Sequence, residues 1–179
     1  EKSLVVCACT GNVADTVKLC KHAGTIGADA VLICPPYYFQ YTPAEREEYF
    51  TRVADLSPVP VFLYNIPFFT QSLELDIIYR LLEHKNIIGI KDSSGSMKRL
   101  EHMIQVTDGK DVSIFTGTDD MLLPAVVGGC VGSMTAFAAI YPDVICGIYD
   151  SIKAGDLEKA RQYQFSIMPE LRKADAETF

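Results

Sequence analysis

Lys91 closes the run Asn86-Ile87-Ile88-Gly89-Ile90, in which every residue after the first is apolar or glycine. Such a run reads as a buried strand. The lysine stem then lies in apolar surroundings with its amine at the mouth of a sheet. Desolvation there disfavours the ammonium. A partly neutral amine can attack a ketone and form a Schiff base. Taken by itself the residue favours a plainer reading, a strand-end lysine reaching out to water. The rest of the chain reverses that balance.

Other polar residues gather just past strand-like ends, where ligands bind in parallel α/β folds. They are Tyr37 and Tyr38, Tyr64 and Asn65, Asp92 and Ser93, the stretch 116–120, and Ser133 with Thr135. Tyr64 follows Val61-Phe62-Leu63, and a phenol beside a reactive amine can shuttle protons. A core tyrosine with one satisfied hydroxyl is the alternative. Pro35-Pro36 stiffens the exit that carries Tyr37 and Tyr38 to the rim, where they could serve chemistry or pack at a subunit contact. Gly117-Thr118-Asp119-Asp120 sets two carboxylates before a helix, as caps or as acceptors for substrate hydroxyls. A magnesium site there lacks a third carboxylate. His22, His84 and His102 fall on helix-like segments without partners and read as surface or interface residues. Ser/His/Asp and Cys/His catalysis therefore has no candidate.

Six strand-like runs carry these side chains: 4–10, 30–34, 59–65, 87–91, 112–117 and 132–136. Their starts are about 20 to 30 residues apart, the length of one βα unit. Helical patterns lie between them at 14–24, 44–56, 73–84, 97–107 and 121–127, with Thr42 and Pro43 as cap and first residue of the second. The tail reads as two more helices, 143–153 and 156–171, with Asp156 as an N-cap. Strands this apolar imply a parallel sheet covered by helices. No G-x-G-x-x-G follows the first strand, so a dinucleotide fold lacks support.

Composition narrows the function classes. The chain has 179 residues, 49% hydrophobic and 22% charged, with a net charge of −7. That charge, without Lys/Arg blocks, argues against nucleic acid and anionic membranes as partners. No signal peptide and no long apolar run points to a membrane. Cys7, Cys9, Cys20, Cys34, Cys130 and Cys146 form no C-x-x-C pair. They read as buried free thiols of a cytoplasmic protein rather than a zinc site. Core strand begins almost at the first residue, a charged helix-like stretch closes the chain at 171–179, and both ends look cut.

Pro36-Tyr37-Tyr38, Tyr64-Asn65-Ile66-Pro67, Gly89-Ile90-Lys91-Asp92, Gly117-Thr118-Asp119-Asp120 and Gly132-Ser133 together resemble the dihydrodipicolinate synthase / N-acetylneuraminate lyase family of class I pyruvate aldolases. Their order looks like the family's third to eighth strands, over essentially the whole chain. The resemblance implies a (β/α)8 TIM barrel, here truncated to those βα units (residues 1–142), plus the start of a C-terminal helical extension (residues 143–179). It implies Lys91 as the Schiff-base lysine for pyruvate or another 2-oxo acid, and Tyr64 as the proton-moving tyrosine. Tyr38 would be the tyrosine lent across a dimer interface. It also implies a homotetramer built as a dimer of dimers, with no metal or organic cofactor.

Two departures matter. The family's Gly-Thr-Thr/Ser-Gly-Glu loop, which binds the pyruvate carboxylate, has no counterpart here. The synthase branch carries an arginine where this chain has Phe69, and losing that bidentate carboxylate partner argues against dihydrodipicolinate synthesis. Ser93, Gly117, Asp119, Asp120 and Ser133 look instead like the lyase branch, where such groups bind a polyol tail, although that branch often has Asp-Glu in place of Asp-Asp. The expected function is cleavage or formation of a 2-oxo-3-deoxy sugar acid, such as N-acetylneuraminate or 2-dehydro-3-deoxygluconate. The alternatives are a 4-hydroxy-tetrahydrodipicolinate synthase and a non-catalytic barrel fragment acting in oligomer or partner interactions.

Overall fold

The computed structural model describes residues 3–178. Six strands form one sheet: β1 (Val5–Cys7), β2 (Ala30–Ile33), β3 (Val61–Asn65), β4 (Ile87–Asp92), β5 (Ser113–Thr116) and β6 (Gly132–Ser133). They lie in sequential order and every neighbouring pair is parallel. The chain returns between them through α1 (Val13–Thr25), α2 (Pro43–Leu56), α3 (Leu75–Leu81), α4 (Met97–Thr107) and α5 (Leu122–Val127). Helices α6 (Pro142–Lys153) and α7 (Leu157–Thr178) follow β6. A doubly wound sheet reverses its strand order at a switch point. This one never reverses, so it is the singly wound sheet of a truncated TIM barrel, as expected.

Local chemistry sets the helix starts. Asn12 accepts the Asp15 N–H at 2.9 Å, and Thr42 with Glu45 forms a capping box ahead of Pro43. Ser96 and Asp156 cap α4 and α7 through the N–H groups of Arg99 and Lys159. Helix α3 begins at Leu75 rather than 73, and the Leu73 N–H ahead of it donates to Asn65 Oδ1 at 2.9 Å. The segment expected as one helix at 121–127 opens as a 3-10 turn, Asp119–Met121, before α5. Of the last strand-like run, 132–136, only Gly132–Ser133 is strand, and a second 3-10 turn follows at Phe137–Ala139. Helix α7 continues through Pro169 into the charged stretch, whose final residue, Phe179, lies outside the described residues.

The sheet separates two apolar regions. Val31, Ile33, Val61, Leu63, Ile87, Ile90 and Ile114 face the helices and pack on Cys20, Phe50, Ile77, Leu100 and Met103. Ala30, Leu32 and Phe62 face the concave side with half-buried Val5, Tyr64, Ile88, Phe115 and Met134. A third cluster, including Leu122, Phe137, Ile148 and Ile167, joins α5 to α6 and α7.

Two expectations need correction. The cysteines are free, but Cys7 and Cys146 are exposed. His84 has partners: its ring Nε2 is 3.1 Å from Asp55 Oδ1 and its Nδ1 accepts the Asn86 N–H at 3.1 Å. The turn after α3 folds the ring back against the end of α2, a contact that spacing along one helix does not reveal.

Candidate active site at the carboxyl ends of the strands

Strand register decides which polar residues meet. Phe62, Tyr64 and Phe115 belong to the concave face, and Lys91 pairs laterally with Tyr64 and Phe115. The Lys91 Nζ lies 4.1 Å from the centroid of the Tyr64 ring. The ring face, with its negative quadrupole, is a resting place for an ammonium. Both residues are half-buried.

The orientation of Lys91 depends on a bulge. Val61 pairs with Ile87, but the next pair is Phe62 with Gly89, which leaves Ile88 as an extra residue. Ile87 and Ile90 face the helices, whereas Ile88 packs on the concave side. Strict alternation from Ile87 would put Lys91 among the helices, and the inserted residue shifts it to the concave face. Gly89 has φ +157°, and a Cβ there would lie 2.1 Å from the Ser113 carbonyl oxygen. Only glycine permits this backbone approach.

Ser93 and Gly117 join the lysine. A Cβ on Gly117 would lie 1.9 Å from Ser93 Oγ and 2.8 Å from Lys91 Cε, so the bare backbone of β5's exit makes room for both. The Ser93 hydroxyl is buried and has no hydrogen-bond partner among the described residues. A buried hydroxyl left unmatched costs free energy, and this one is available to a ligand at the lysine.

Alternation sends the neighbours the other way. Asn65 and Asp92 are fully buried behind the sheet, where Asn65 Nδ2 donates to Asp92 Oδ2 at 2.8 Å. Asp92 Oδ1 accepts from the Ser94 N–H at 2.9 Å and from the Ser94 hydroxyl. Arg99 reaches Asp92 Oδ2 at 3.5 Å and the Leu73 carbonyl at 2.8 Å. This clasp ties the ends of β3 and β4 together directly behind Tyr64 and Lys91. Counting both members of Tyr64/Asn65 and Lys91/Asp92 among ligand-facing residues overlooks the two-residue period of a strand, the signal that separates them.

The remaining expected residues stand apart. Asp119 Oδ1 accepts the Phe137 N–H at 3.2 Å, and the Asp119 carbonyl accepts from Gln164 of α7 at 3.0 Å. Burial holds the Asp119 carboxyl above the usual carboxylate range; the nearby Asp120 adds to the rise, while the Thr135 hydroxyl and then the Phe137 N–H oppose it. Asp120 is exposed. Ser133 pairs with Thr116, on the opposite face from Lys91. Tyr38 has φ 83° and is 89% exposed, its ring edge-on to Phe39 at 4.9 Å. Within one chain it does not reach the lysine. A non-glycine residue held in that backbone region marks local strain of the kind found at functional sites. Tyr37, Tyr38 and Phe39 line a cleft with Pro67 and Phe69.

Among the described residues no group of three or more His, Cys, Asp or Glu is arranged to hold a metal ion. No described helix is long and apolar enough to cross a membrane.

A singly wound parallel sheet with a lysine on its concave face, beside a tyrosine and an unpartnered hydroxyl, defines a barrel-type protein built around an amine. The Dihydrodipicolinate synthetase family model matches residues 2–178. The 4-hydroxy-tetrahydrodipicolinate synthases of Methanoculleus marisnigri and Methanosarcina acetivorans are each 35% identical, over 91% and 94% of this chain. The matches cover 56% and 58% of those proteins, so the chain spans a little over half their length. A prophage protein of the dihydrodipicolinic acid synthase family from E. coli K12, solved in complex with pyruvate, superposes with a TM-score of 0.88. It is 31% identical, over 93% of this chain and 57% of that one. The 2-keto 3-deoxygluconate aldolase of Picrophilus torridus shares the fold, with a TM-score of 0.90 at 23% identity over 99% of this chain and 64% of that one. The chain belongs to the dihydrodipicolinate synthetase family.

Proposed function

We propose that Lys91 forms a Schiff base with pyruvate or a related 2-oxo acid, in a class I aldolase that cleaves or forms a 2-oxo-3-deoxy sugar acid. The observation that carries this reading is the amine on the concave face, stacked on Tyr64 beside the unpartnered Ser93 hydroxyl. In the cleavage direction Nζ attacks the 2-oxo carbon and water leaves, giving a protonated imine. A base then takes the proton of the C4 hydroxyl, the C3–C4 bond breaks to release the aldehyde fragment, and its electron pair flows into the imine nitrogen as an enamine forms. Protonation at carbon and hydrolysis release pyruvate. The imine is itself the electron sink, so the scheme uses no metal or organic cofactor.

Tyr64 moves protons to and from the substrate. Ser93 and the backbone at Gly117 meet substrate next to the imine, and Asp119 and Asp120 bind toward its polyol tail, whereas Ser133, on the opposite face of the sheet, takes no part. Tyr38 acts from a second copy of the chain, in a homotetrameric, cytoplasmic enzyme; its exposure within one chain is compatible with such a loan. The E. coli family member solved with pyruvate supports the choice of donor. A second reading, 4-hydroxy-tetrahydrodipicolinate synthase, is favoured by the names of the 35%-identical relatives. Phe69, at the position of the synthase arginine, weighs against it.

Borohydride reduction in the presence of pyruvate tests the core of the proposal, with peptide mapping of the adduct. Attachment at Lys91, lost in Lys91→Ala, supports it; no adduct on wild type, or one elsewhere, refutes it. Assays with aspartate semialdehyde plus pyruvate and with 2-oxo-3-deoxy sugar acids then separate the two readings.

A further inference from the structure

Cys9 and Cys34 lie just beyond the ends of β1 and β2, each two residues after the paired Cys7 and Leu32. Alternation from Val5 and from Leu32 puts both side chains on the concave side. Cys9 Sγ accepts the Cys34 N–H at 3.3 Å and, as a thiol, donates to the Leu32 carbonyl at 3.5 Å. Neighbouring strands run about 4.8 Å apart, inside the roughly 4.4–6.8 Å between Cα atoms that a disulfide spans. Both cysteines are free in the structure.

We propose that Cys9 and Cys34 are an oxidisable dithiol on the same concave side of the sheet as Lys91, with Cys9 attacking a hydroperoxide and Cys34 resolving the product as a disulfide. The environment divides the labour. The Cys34 thiol and N–H, with the Lys91 charge, pull Cys9 down to about 7 against the opposing effect of burial. The same pairing, with burial, pushes Cys34 far above the usual thiol range. Cys9 is thus the ready thiolate and Cys34 keeps its proton. The Cys9 thiolate attacks one peroxide oxygen, the O–O bond breaks, and the departing alkoxide or hydroxide takes a proton, leaving a sulfenic acid. The anion that held the Cys34 proton is then gone. Cys34 ionises, its sulfur attacks Cys9 Sγ, the S–O bond breaks, and hydroxide leaves with the Cys34 proton as water. A low-pKa cysteine beside a resolving one is the arrangement of reversible thiol sensors.

The proposal does not depend on the aldolase reading, because its readout is sulfur chemistry. The full chain is treated with stoichiometric hydrogen peroxide and read by intact mass, and a second portion is alkylated for peptide mapping. The expected product has lost about two hydrogen masses, carries a Cys9–Cys34 bridge, and returns to the starting mass with dithiothreitol. Cys34→Ser should instead accumulate a Cys9 sulfenic acid that dimedone traps at least tenfold faster than exposed Cys146. Cys9→Ser should leave Cys34 unmodified at the same peroxide dose. Circular dichroism confirms that each variant is folded, and Cys→Ala replacements substitute for any that is not. A bridge involving Cys7 or Cys146, no bridge at all, or dimedone labelling of Cys9 no faster than of Cys146 overturns the proposal.

Discussion

The Lys91 amine rests on the face of the Tyr64 ring, so ring and hydroxyl make separable contributions. The ring holds the amine through its quadrupole and its bulk, and the hydroxyl offers a proton. Tyr64→Phe keeps the first and removes the second. The variant should trap pyruvate on Lys91 nearly as wild type does while turnover falls by about 10²–10⁴, the usual worth of a proton-transfer group. Single-turnover imine formation and steady-state cleavage, measured side by side, check this; unchanged turnover removes Tyr64 from the mechanism. Ser93→Ala belongs to the same scale. Its hydroxyl is buried without a hydrogen-bond partner among the described residues, so the change should raise or leave unaltered the stability seen in urea while weakening ligand binding beside the lysine. A clear loss of stability would mean that the hydroxyl is structural. Lys91 and Tyr64 were legible as a pair because each closes an apolar run. Ser93 was legible only as one hydroxyl among several, since the close approach of Gly117 depends on how β4 and β5 pack.

At the scale of the strand, the bulge at Ile88 and Gly89 turns Lys91 toward Tyr64. Gly89→Ala pushes a Cβ against the Ser113 backbone and should drive the ladder out of this register. Pyruvate trapping should then fall at least tenfold. Deleting Ile88 as well removes the extra residue, lets position 89 adopt ordinary strand geometry, and returns Lys91 to the concave face. That double variant should recover trapping; if it does not, the defect lies in packing against β5 rather than in register. Behind the same strand ends, Asn65→Leu strips the buried Asp92 carboxylate of a donor and leaves the Leu73 N–H unmatched. The expected cost is about 3 kcal/mol in urea unfolding. A cost below about 1 kcal/mol would show that Arg99 and Ser94 alone hold the clasp. The helices were readable in advance because their caps are local: Thr42 with Pro43, and Asp156. The bulge was not, because Ile-Ile-Gly-Ile fits an unbroken strand equally well, and only the pairing with Val61 and Phe62 exposes the extra residue.

Across the whole molecule, the C-terminal helices are joined to the strand ends through few polar groups. Gln164 of α7 accepts the Leu123 N–H at 3.1 Å and donates to the Asp119 carbonyl at 3.0 Å, while the Asp119 carboxylate holds the Phe137 N–H. The acidic pair stood out in the sequence as caps or as acceptors, but the tie of Asp119 to Gln164 did not, because 45 residues separate donor from acceptor. Burial gives the Asp119 carboxyl a measurable signature. Burial raises its carboxyl above the ordinary aspartate value. A carboxyl raised on folding favours the protonated native state, so its contribution is greatest below the unfolded value and is lost as pH rises through the folded one. Asp119→Asn keeps an amide oxygen for the Phe137 N–H and removes the titration. Relative to wild type, the variant should therefore gain stability as pH rises from about 4 through the point at which the folded carboxyl ionises, and hold a constant advantage above it, whatever its offset at acid pH. Urea midpoints of both proteins across that interval test this. A constant difference would mean that Asp119 ionises alike in the folded and unfolded chain. Its carboxylate would then be solvated enough to face a substrate hydroxyl, and the polyol-binding role would gain at the expense of the structural one.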